Sequence, residues 1–319
     1  MMDLNEIGRF MGETQYKTEM AELASKYSGV DLIELGTSRN LAHTYRSIIG
    51  FCSGDLKEIV AGYLRRWDMW NIKTILRGKY SNATVEEIQE DLVPAGTLSE
   101  EDLNALLAID SMSEILETSA RKLSIQVPAD ITLSLERDGN LAAVEDYLDF
   151  IYYQRLLASI DPNKKSDSQF LSFVKREIDI VNLRTLLKLK MDSMPGDKIK
   201  TYFIEGGSNE LSIAELNRLA GVETFDNLVD ELSKYSFYDE IKNSLERAKT
   251  TRSLNPVMVK LDKYLAKEAE RFSHLYPLSV LPILDYVIRK KIEVDNIRII
   301  ARGKASGMDN EIIKKLLVI

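Results

Sequence analysis

Three ten-residue stretches of the chain are variants of one motif: WNIKTILRGK at 70–79, VNLRTLLKLK at 181–190 and DNIRIIARGK at 295–304. Their asparagines, Asn71, Asn182 and Asn296, are separated by the length of a whole domain. Such spacings exceed the repeats of most solenoid proteins. The motif therefore indicates a domain that is repeated along the chain.

The similarity between copies extends beyond the motif. Residues 84–106 resemble 197–219, with a short insertion in a loop, and residues 133–155 resemble 243–271. A chain of 319 residues is also longer than one hydrophobic core usually serves. We therefore predict three related domains, at 1–112, 113–223 and 224–319.

Most segments place apolar residues at i, i+3, i+4 and i+7, and alternating patterns typical of strands are rare. Glycine and proline are scarce and cluster in short breaks, such as 93–102 and 193–198. The sequence predicts an all-α protein made of three related helical domains.

Composition excludes several classes of function. A net charge of −8 disfavours nucleic-acid binding, which needs a concentrated positive surface. The N-terminus lacks the apolar core of a secretory signal, and no apolar run is long enough to span a membrane. The single Cys52 fits a reducing compartment and excludes an internal disulfide.

The motif predicts an amphipathic helix. Met69, Ile72, Ile75 and Leu76 form an apolar arc about 120° wide at 100° per residue. An acid falls inside this arc in every copy, where an unpaired carboxylate is costly. We expect each acid to pair with an arginine in the helix before the motif. The expected pairs are Arg46–Asp68, Arg155–Asp179 and Arg271–Glu293.

The other face of the motif helix carries cations at positions i and i+4, which repel each other unless acids lie nearby. Two explanations stay open. The acids are internal, from Glu86, Glu87, Asp309 or Glu311, or they belong to another chain that contacts all three copies.

No catalytic constellation is present in the sequence. The phosphate-binding, dinucleotide, nucleophile-elbow and zinc-protease motifs are all missing, and RGK at 77–79 lacks the glycine and hydroxyl of a phosphate loop. His43 and His274 stand alone in helical segments, and we interpret both as structural. We expect no catalytic residues, no cofactor and no metal site.

The threefold motif, the segment WDMWNIKTILRGK with its following VPAGTLS, and the C-terminal DNIRIIARGK resemble the C subunits of the archaeal and bacterial A/V-type rotary ATPases. These are related to the d subunits of the vacuolar enzymes. The resemblance covers essentially the whole chain. The middle copy departs from it, because Leu189 replaces the glycine found at Gly78 and Gly303.

The resemblance implies a non-catalytic connector shaped as a pseudo-threefold funnel. It implies one copy per complex, on the cytoplasmic face of the membrane, between the central stalk subunits D and F and the membrane rotor ring of proteolipid subunits. A generic helical adaptor with a basic groove is the alternative. The candidate partner-binding residues are the motif cations Lys73, Arg77, Lys79, Arg184, Lys188, Lys190, Arg298, Arg302 and Lys304.

Overall fold

A computed structural model describes residues 2–319, apart from the side chain of Ser166. No strand occurs among the described residues, and the all-α prediction is confirmed. None of the helices in this range is both long and apolar enough to cross a lipid bilayer.

The α-helices are, in chain order, α1 (Leu4–Met11), α2 (Lys17–Leu23), α3 (Gly29–Phe51), α4 (Gly54–Leu64), α5 (Arg66–Tyr80), α6 (Val85–Asp91), α7 (Glu100–Leu107), α8 (Met112–Leu123), α9 (Ala129–Asp138), α10 (Leu141–Ala158), α11 (Lys165–Met191), α12 (Gly196–Ile199), α13 (Ile213–Ala220), α14 (Phe225–Glu231), α15 (Tyr238–Thr251), α16 (Asn255–Leu275), α17 (Leu281–Ala305) and α18 (Asn310–Leu316). Short 3₁₀ helices cover Lys200–Tyr202 and Leu232–Lys234.

The chain forms two compact units. The first ends at Ser159 and also includes Ile300–Gly307, and the second consists of Ile160–Ile299 with Met308–Ile319. The three motif copies lie on α5, α11 and α17. The helices α11 and α17 are both longer than α5.

In the first unit, α5 packs against α6, α7, α8 and α10. The four residues of the predicted apolar arc are all buried, with Ile72, Ile75 and Leu76 completely inaccessible to solvent. The prediction that one face of the motif helix packs into the core is confirmed for this copy.

In the second unit, one apolar core runs from Ile180 on α11 to Leu261 on α16. It includes Ala220 and Phe225, so the domain boundary predicted at residue 223 crosses a continuous core. The reason is that α11 packs against helices on both sides of this boundary, including α13, α14 and α16.

The motif asparagine makes matching hydrogen bonds in every copy. Its amide nitrogen donates to a backbone carbonyl 22 residues later, and its amide oxygen accepts from the backbone nitrogen of that same residue, with N···O distances of 2.8 to 2.9 Å. The pairs are Asn71 with Val93, Asn182 with Ile204 and Asn296 with Val318. We call this arrangement the asparagine clamp.

A carboxamide suits the clamp because it carries a donor and an acceptor side by side, as a peptide group does. Asn71 and Asn182 are fully buried, so the backbone groups that they satisfy have no access to water. The clamp therefore fastens the segment after each motif helix to the helix itself, which explains why asparagine recurs in the motif.

We predict that Asn182→Ala lowers the free energy of unfolding by roughly 2 to 4 kcal/mol, because it leaves a buried carbonyl and a buried N–H of Ile204 unsatisfied. Urea unfolding followed by circular dichroism measures this change. Asn163→Ala, in an exposed turn, is the control and should leave the midpoint within experimental error. Equal midpoints for the two variants would show that the clamp does not stabilise the fold.

Candidate functional site

The acid of the first motif copy, Asp68, is completely buried and holds the loop that follows α6. Its carboxylate accepts hydrogen bonds from the Thr97 backbone nitrogen at 3.0 Å, the Thr97 hydroxyl at 2.7 Å and the Leu98 backbone nitrogen at 2.9 Å. A Cβ atom at Gly96 would stand 2.2 Å from Oδ1 of Asp68, so the loop approaches this closely only with glycine there.

Asp179 repeats the arrangement in the second copy with fewer donors. One carboxylate oxygen accepts from the Ser208 backbone nitrogen at 2.8 Å, and a Cβ atom at Gly207 would lie 2.5 Å from this oxygen. The other oxygen is buried without a hydrogen-bond partner. Burial raises the pKa of Asp179 to about 6, because a desolvated carboxyl favours its neutral form.

These contacts correct the predicted ion pairs. Asp68 is satisfied by loop amides, and Arg46 lies 3.5 Å from Glu100 instead. Arg271 pairs with Glu268 at 2.7 Å, and Glu293 lies 3.1 Å from Lys290. The pairs Arg46–Asp68 and Arg271–Glu293 are therefore wrong.

Arg155 binds the C-terminal end of α8. Its guanidinium donates to the backbone carbonyls of Leu123 at 2.6 Å and Ser124 at 3.2 Å, at the C-terminal end of α8. A cation there satisfies carbonyls that the helix leaves without partners. Asp179 takes its hydrogen bond from Ser208. Arg155 and Asp179 belong to different compact units, and the Arg155–Asp179 pair stays a prediction.

The cations of the first copy pair with acids on α10. The ammonium of Lys73 lies 2.6 Å from Asp149, and the guanidinium of Arg77 binds Glu145 through two contacts of 2.5 Å. Hydrogen bonding to Glu145 raises the pKa of Arg77. The repulsion between Lys73 and Arg77 is thus neutralised within the chain.

In the other two copies, motif cations also pair with acids of the same chain. Arg184 lies 2.6 Å from Asp262 on α16, and Arg302 forms a two-pronged pair with Glu34 on α3. Of the two explanations left open, the structure supports internal acids for these cations. They are not the acids we expected, because Glu87 caps α6 through Thr84 and Glu311 pairs with Lys314.

The acids that pair with motif cations occupy related positions along the repeat. Glu34 precedes Asn71 by the same distance in sequence as Glu145 precedes Asn182. Asp149 and Asp262 likewise lie at nearly equal distances before the motif that follows each of them. Lys73 and Arg77 therefore contact the helix before the second motif helix, and Arg184 contacts the helix before the third. Arg302 of the third copy contacts α3, which α4 separates from the first motif helix. Sequence reasoning missed these acids, although their common distance from the asparagine was a usable signal.

The last cation of the motif has a different contact in the first and second copies. Lys79 lies 3.5 Å from Asp110, whereas Lys190 is buried and donates to the Ala220 carbonyl at 2.9 Å. Burial lowers the pKa of Lys190. Arg298 and Lys304 also interact with other groups. Lys190 is thus a structural residue that closes the C-terminal end of α13.

Lys188 differs from the corresponding cations Arg77 and Arg302. It is exposed, and within residues 2–319 it has no acidic partner. Met258 precedes Asp262 by the same number of residues as Glu145 precedes Asp149. A methionine therefore occupies the position at which the partners of Arg77 and Arg302 are acids. The middle copy therefore leaves one motif cation free to bind another molecule.

The glycine that the middle copy lacks serves internal packing. A Cβ atom at Gly78 would lie 2.3 Å from Cγ1 of Ile88, so α6 packs directly on the backbone of α5. In the middle copy, Leu189 instead packs against the core of the second unit. The glycine explains how α5 and α6 approach each other and indicates nothing about a partner.

A charged cleft of about 780 Å³ lies between α2, α3 and the segment from α6 to α7. His43 lies in its wall with Glu19, Glu22 and Glu100, and its side chain is 74% exposed with Nδ1 3.8 Å from Glu19. Both His43 and His274 are exposed, which corrects the interpretation that they are structural. A solvated imidazole beside a carboxylate is common on surfaces and by itself indicates no catalysis.

Comparison with known proteins identifies the family. Residues 1–316 match the family model described as ATP synthase (C/AC39) subunit. The chain belongs to this family. It is 41% identical over 321 residues to the C subunit of the A-type ATP synthase of Methanococcoides burtonii, with 100% of this chain and 87% of the relative covered.

Other members of the ATP synthase (C/AC39) family are nearly as similar. The C subunit of the A-type ATP synthase of Methanosarcina acetivorans is 41% identical over 323 residues, covering 100% of this chain and 86% of the relative. The one from Archaeoglobus fulgidus is 36% identical over 318 residues, covering 100% and 89%. As a member of this family, the chain is a structural, non-catalytic subunit of a membrane-associated rotary ATP synthase.

We predict that Gly78→Ala lowers the free energy of unfolding by about 1 to 3 kcal/mol, because the added methyl group overlaps Ile88. Thermal or urea unfolding measures the loss. Gly8→Ala is the matched control, since a Cβ atom on this α1 glycine meets nothing within 4 Å. A loss no larger than that of the control would mean that α6 moves freely to accommodate the methyl group.

We predict that Asp179→Asn changes how stability depends on pH. The folded-state pKa of about 6 lies above the usual 3.8, so the native protein binds more protons than the unfolded chain between these values. The contribution of Asp179 to the stability of the wild type therefore falls as pH rises through this window, whereas asparagine does not titrate. Relative to the wild type, the variant should gain about 1 to 3 kcal/mol between pH 4 and pH 7.

Urea unfolding at several pH values tests this prediction, with Asp161→Asn in an exposed turn as the control. A constant difference between Asp179→Asn and the wild type across the window would show that Asp179 ionises normally in the folded protein.

Proposed function

We propose that this protein is the central-rotor connector of an A/V-type ATP synthase, joining the central stalk to the membrane rotor ring and transmitting torque during ATP-linked proton or sodium transport. Membership of the C/AC39 family supports the assignment to the rotary complex. The connector role rests on one observation, the order of the ion pairs between motif copies and the helices that precede them.

Head-to-tail contacts between like units close into a ring when the last unit meets the first. Lys73 and Arg77 contact α10, the helix before the second motif helix, and Arg184 contacts α16, the helix before the third. Arg302 contacts α3, the long helix that α4 separates from the first motif helix. We therefore propose that the three repeats form a pseudo-threefold funnel around an axis, into which the stalk subunits D and F insert. The protein would lie at the cytoplasmic face, one copy per complex.

The structure divides the candidate cations into two groups for this proposal. Eight of the nine interact with other groups of this chain: Lys73, Arg77, Lys79, Arg184, Lys190, Arg298, Arg302 and Lys304. Lys188 is exposed and lacks an acidic partner among residues 2–319. We propose that it pairs with a carboxylate of the stalk, which would make the middle repeat the one that fixes the orientation of the stalk.

We predict that Lys188→Glu weakens binding of the purified protein to the D–F stalk complex by roughly tenfold, because an attraction becomes a repulsion at an interface. The unfolding midpoint should not change. Titration calorimetry gives the affinity, and the loss should shrink as salt is raised.

Arg77→Glu provides the matched comparison. It places a third acid beside Glu145 and Asp149 and should lower the unfolding temperature more than Lys188→Glu does. Unchanged stalk affinity in Lys188→Glu would exclude Lys188 from the interface. A connector must bind both partners. A wild-type protein that does not bind the stalk, or does not bind the ring, would therefore contradict the connector function.

A further inference from the structure

Three cations without acidic partners lie on the hairpin that α15 and α16 form inside the second unit. Lys260 and Lys263, about one turn apart on α16, are partly buried, and Arg247 on α15 is exposed. None of these side chains forms an ion pair with another residue in the range 2–319. We call Arg247, Lys260 and Lys263 the cation cluster.

The register of the hairpin places Arg247 and Lys260 at the same level. The two helices are antiparallel neighbours, and Lys267 on α16 lies 2.6 Å from Glu240 on α15. Arg247 follows Glu240 by seven residues and Lys260 precedes Lys267 by seven, which is two helical turns along the same face of each helix. Where the hairpin would form its next ion pair between the helices, it carries two cations.

The cations of the cluster repel one another. Like charges three residues apart on one helix destabilise it. Burial, with the positive charges of Lys260 and Lys267, lowers the pKa of Lys263. An anion bound between these side chains would remove the repulsion.

The acids of the hairpin do not neutralise the cluster, because each of them pairs with a cation outside it. The N···O distances of these pairs are 2.6 to 3.2 Å. The acids on the two helices are Asp239, Glu240, Glu246, Asp262, Glu268 and Glu270. The hairpin therefore has no carboxylate left over for the cation cluster.

The corresponding hairpin of the first unit, α9 and α10, has no lysine pair. Lys260 and Lys263 lie two residues before and one residue after Asp262. The same positions around Asp149 on α10 hold a tyrosine and a phenylalanine. The repeat thus forms this hairpin without the lysines, so folding of the hairpin does not explain them.

The composition and size of the cluster favour a phosphate ligand. Arginine suits carboxylates because its planar fork donates two parallel hydrogen bonds, whereas lysine acts as a point charge and commonly binds phosphate. Two of the three cations are lysines. They span one turn of α16 and one separation between packed helices, about 8 to 10 Å, which suits a short chain of phosphates.

A membrane is a poor match for the cluster. Segments that bind anionic lipid surfaces carry clusters of about four to eight basic residues. The cluster has three, in a chain whose net charge is −8.

We propose that the cation cluster binds a small soluble anion that carries two or more phosphate groups. The anion lies between Arg247 and the two lysines and takes the place of the acid that the hairpin lacks there. This site is independent of the connector function, which does not depend on whether the anion binds.

The test is calorimetric titration of the full-length protein with tripolyphosphate at low salt. The cluster variant is Lys260→Gln/Lys263→Gln. The control variant, Lys17→Gln/Lys57→Gln, removes two exposed lysines of the first unit that also have no ion pair within residues 2–319, so that both variants lose the same net charge.

We expect tripolyphosphate to bind the wild type, the cluster variant to lose about 25-fold in affinity, and the control variant to stay within twofold of the wild type. The unfolding temperature of the unliganded cluster variant should equal or exceed that of the wild type, because a repulsion is removed. Tripolyphosphate should raise the unfolding temperature of the wild type and leave that of the cluster variant unchanged.

A wild-type protein that does not bind tripolyphosphate would overturn the proposal. An equal loss of affinity in the control variant would also overturn it, because the protein would then respond only to its net charge.

Two further probes test the class of ligand. Hexaglutamate that binds as tightly as tripolyphosphate, with the same loss in the cluster variant, would assign the cluster to an acidic protein segment. Vesicles of phosphatidylglycerol and phosphatidylcholine that bind with the same dependence on the two lysines would assign it to a lipid surface. Either result would overturn the proposal of a soluble phosphate ligand.

Discussion

The asparagine clamp is the interaction on which the rest of the structure depends. A helix that ends in a loop leaves backbone groups without partners, and a buried loop adds more. In each motif copy one carboxamide satisfies a donor and an acceptor of the same residue, 22 positions later. This fixes the segment that returns to the motif helix, and Asp68 and Asp179 add a second attachment slightly farther along that segment. The asparagine and the acid that recur in the motif therefore serve mainly to stabilise the fold of one repeat.

The cations of the motif act between repeats. Four of them, Lys73, Arg77, Arg184 and Arg302, contact acids on a long helix that precedes another copy, and because most of these pairs are partly exposed, each contributes little stability on its own. The middle copy breaks the pattern at Lys188, where Met258 replaces an acid.

Much of the fold was predictable from the sequence because helices and caps depend on local spacing. The apolar arc on α5 is buried as the pattern indicated, and at the start of α7 Ser99 and Asp102 form a capping box from residues only three positions apart. The partners of Asp68 and Glu293 were not predictable, because the distance along the chain does not show which donor lies within hydrogen-bonding distance of a carboxylate in the folded protein. The boundary at residue 223 does not coincide with a gap in packing, because the repeat in sequence and the packing unit are offset by several helices. The lack of an acidic partner for Lys188 is evident only from the structure, in which the corresponding Arg77 and Arg302 are both paired with acids.

The most direct test of this account is native-state hydrogen exchange at the backbone amides of Val93, Ile204 and Val318, which donate to the three motif asparagines. The account predicts that all three are protected, and that replacing one asparagine by alanine accelerates exchange at its own partner far more than at the other two. Exchange at the rate of an unstructured peptide in the wild type, or equal acceleration at all three amides, would contradict the claim that each clamp independently closes its repeat.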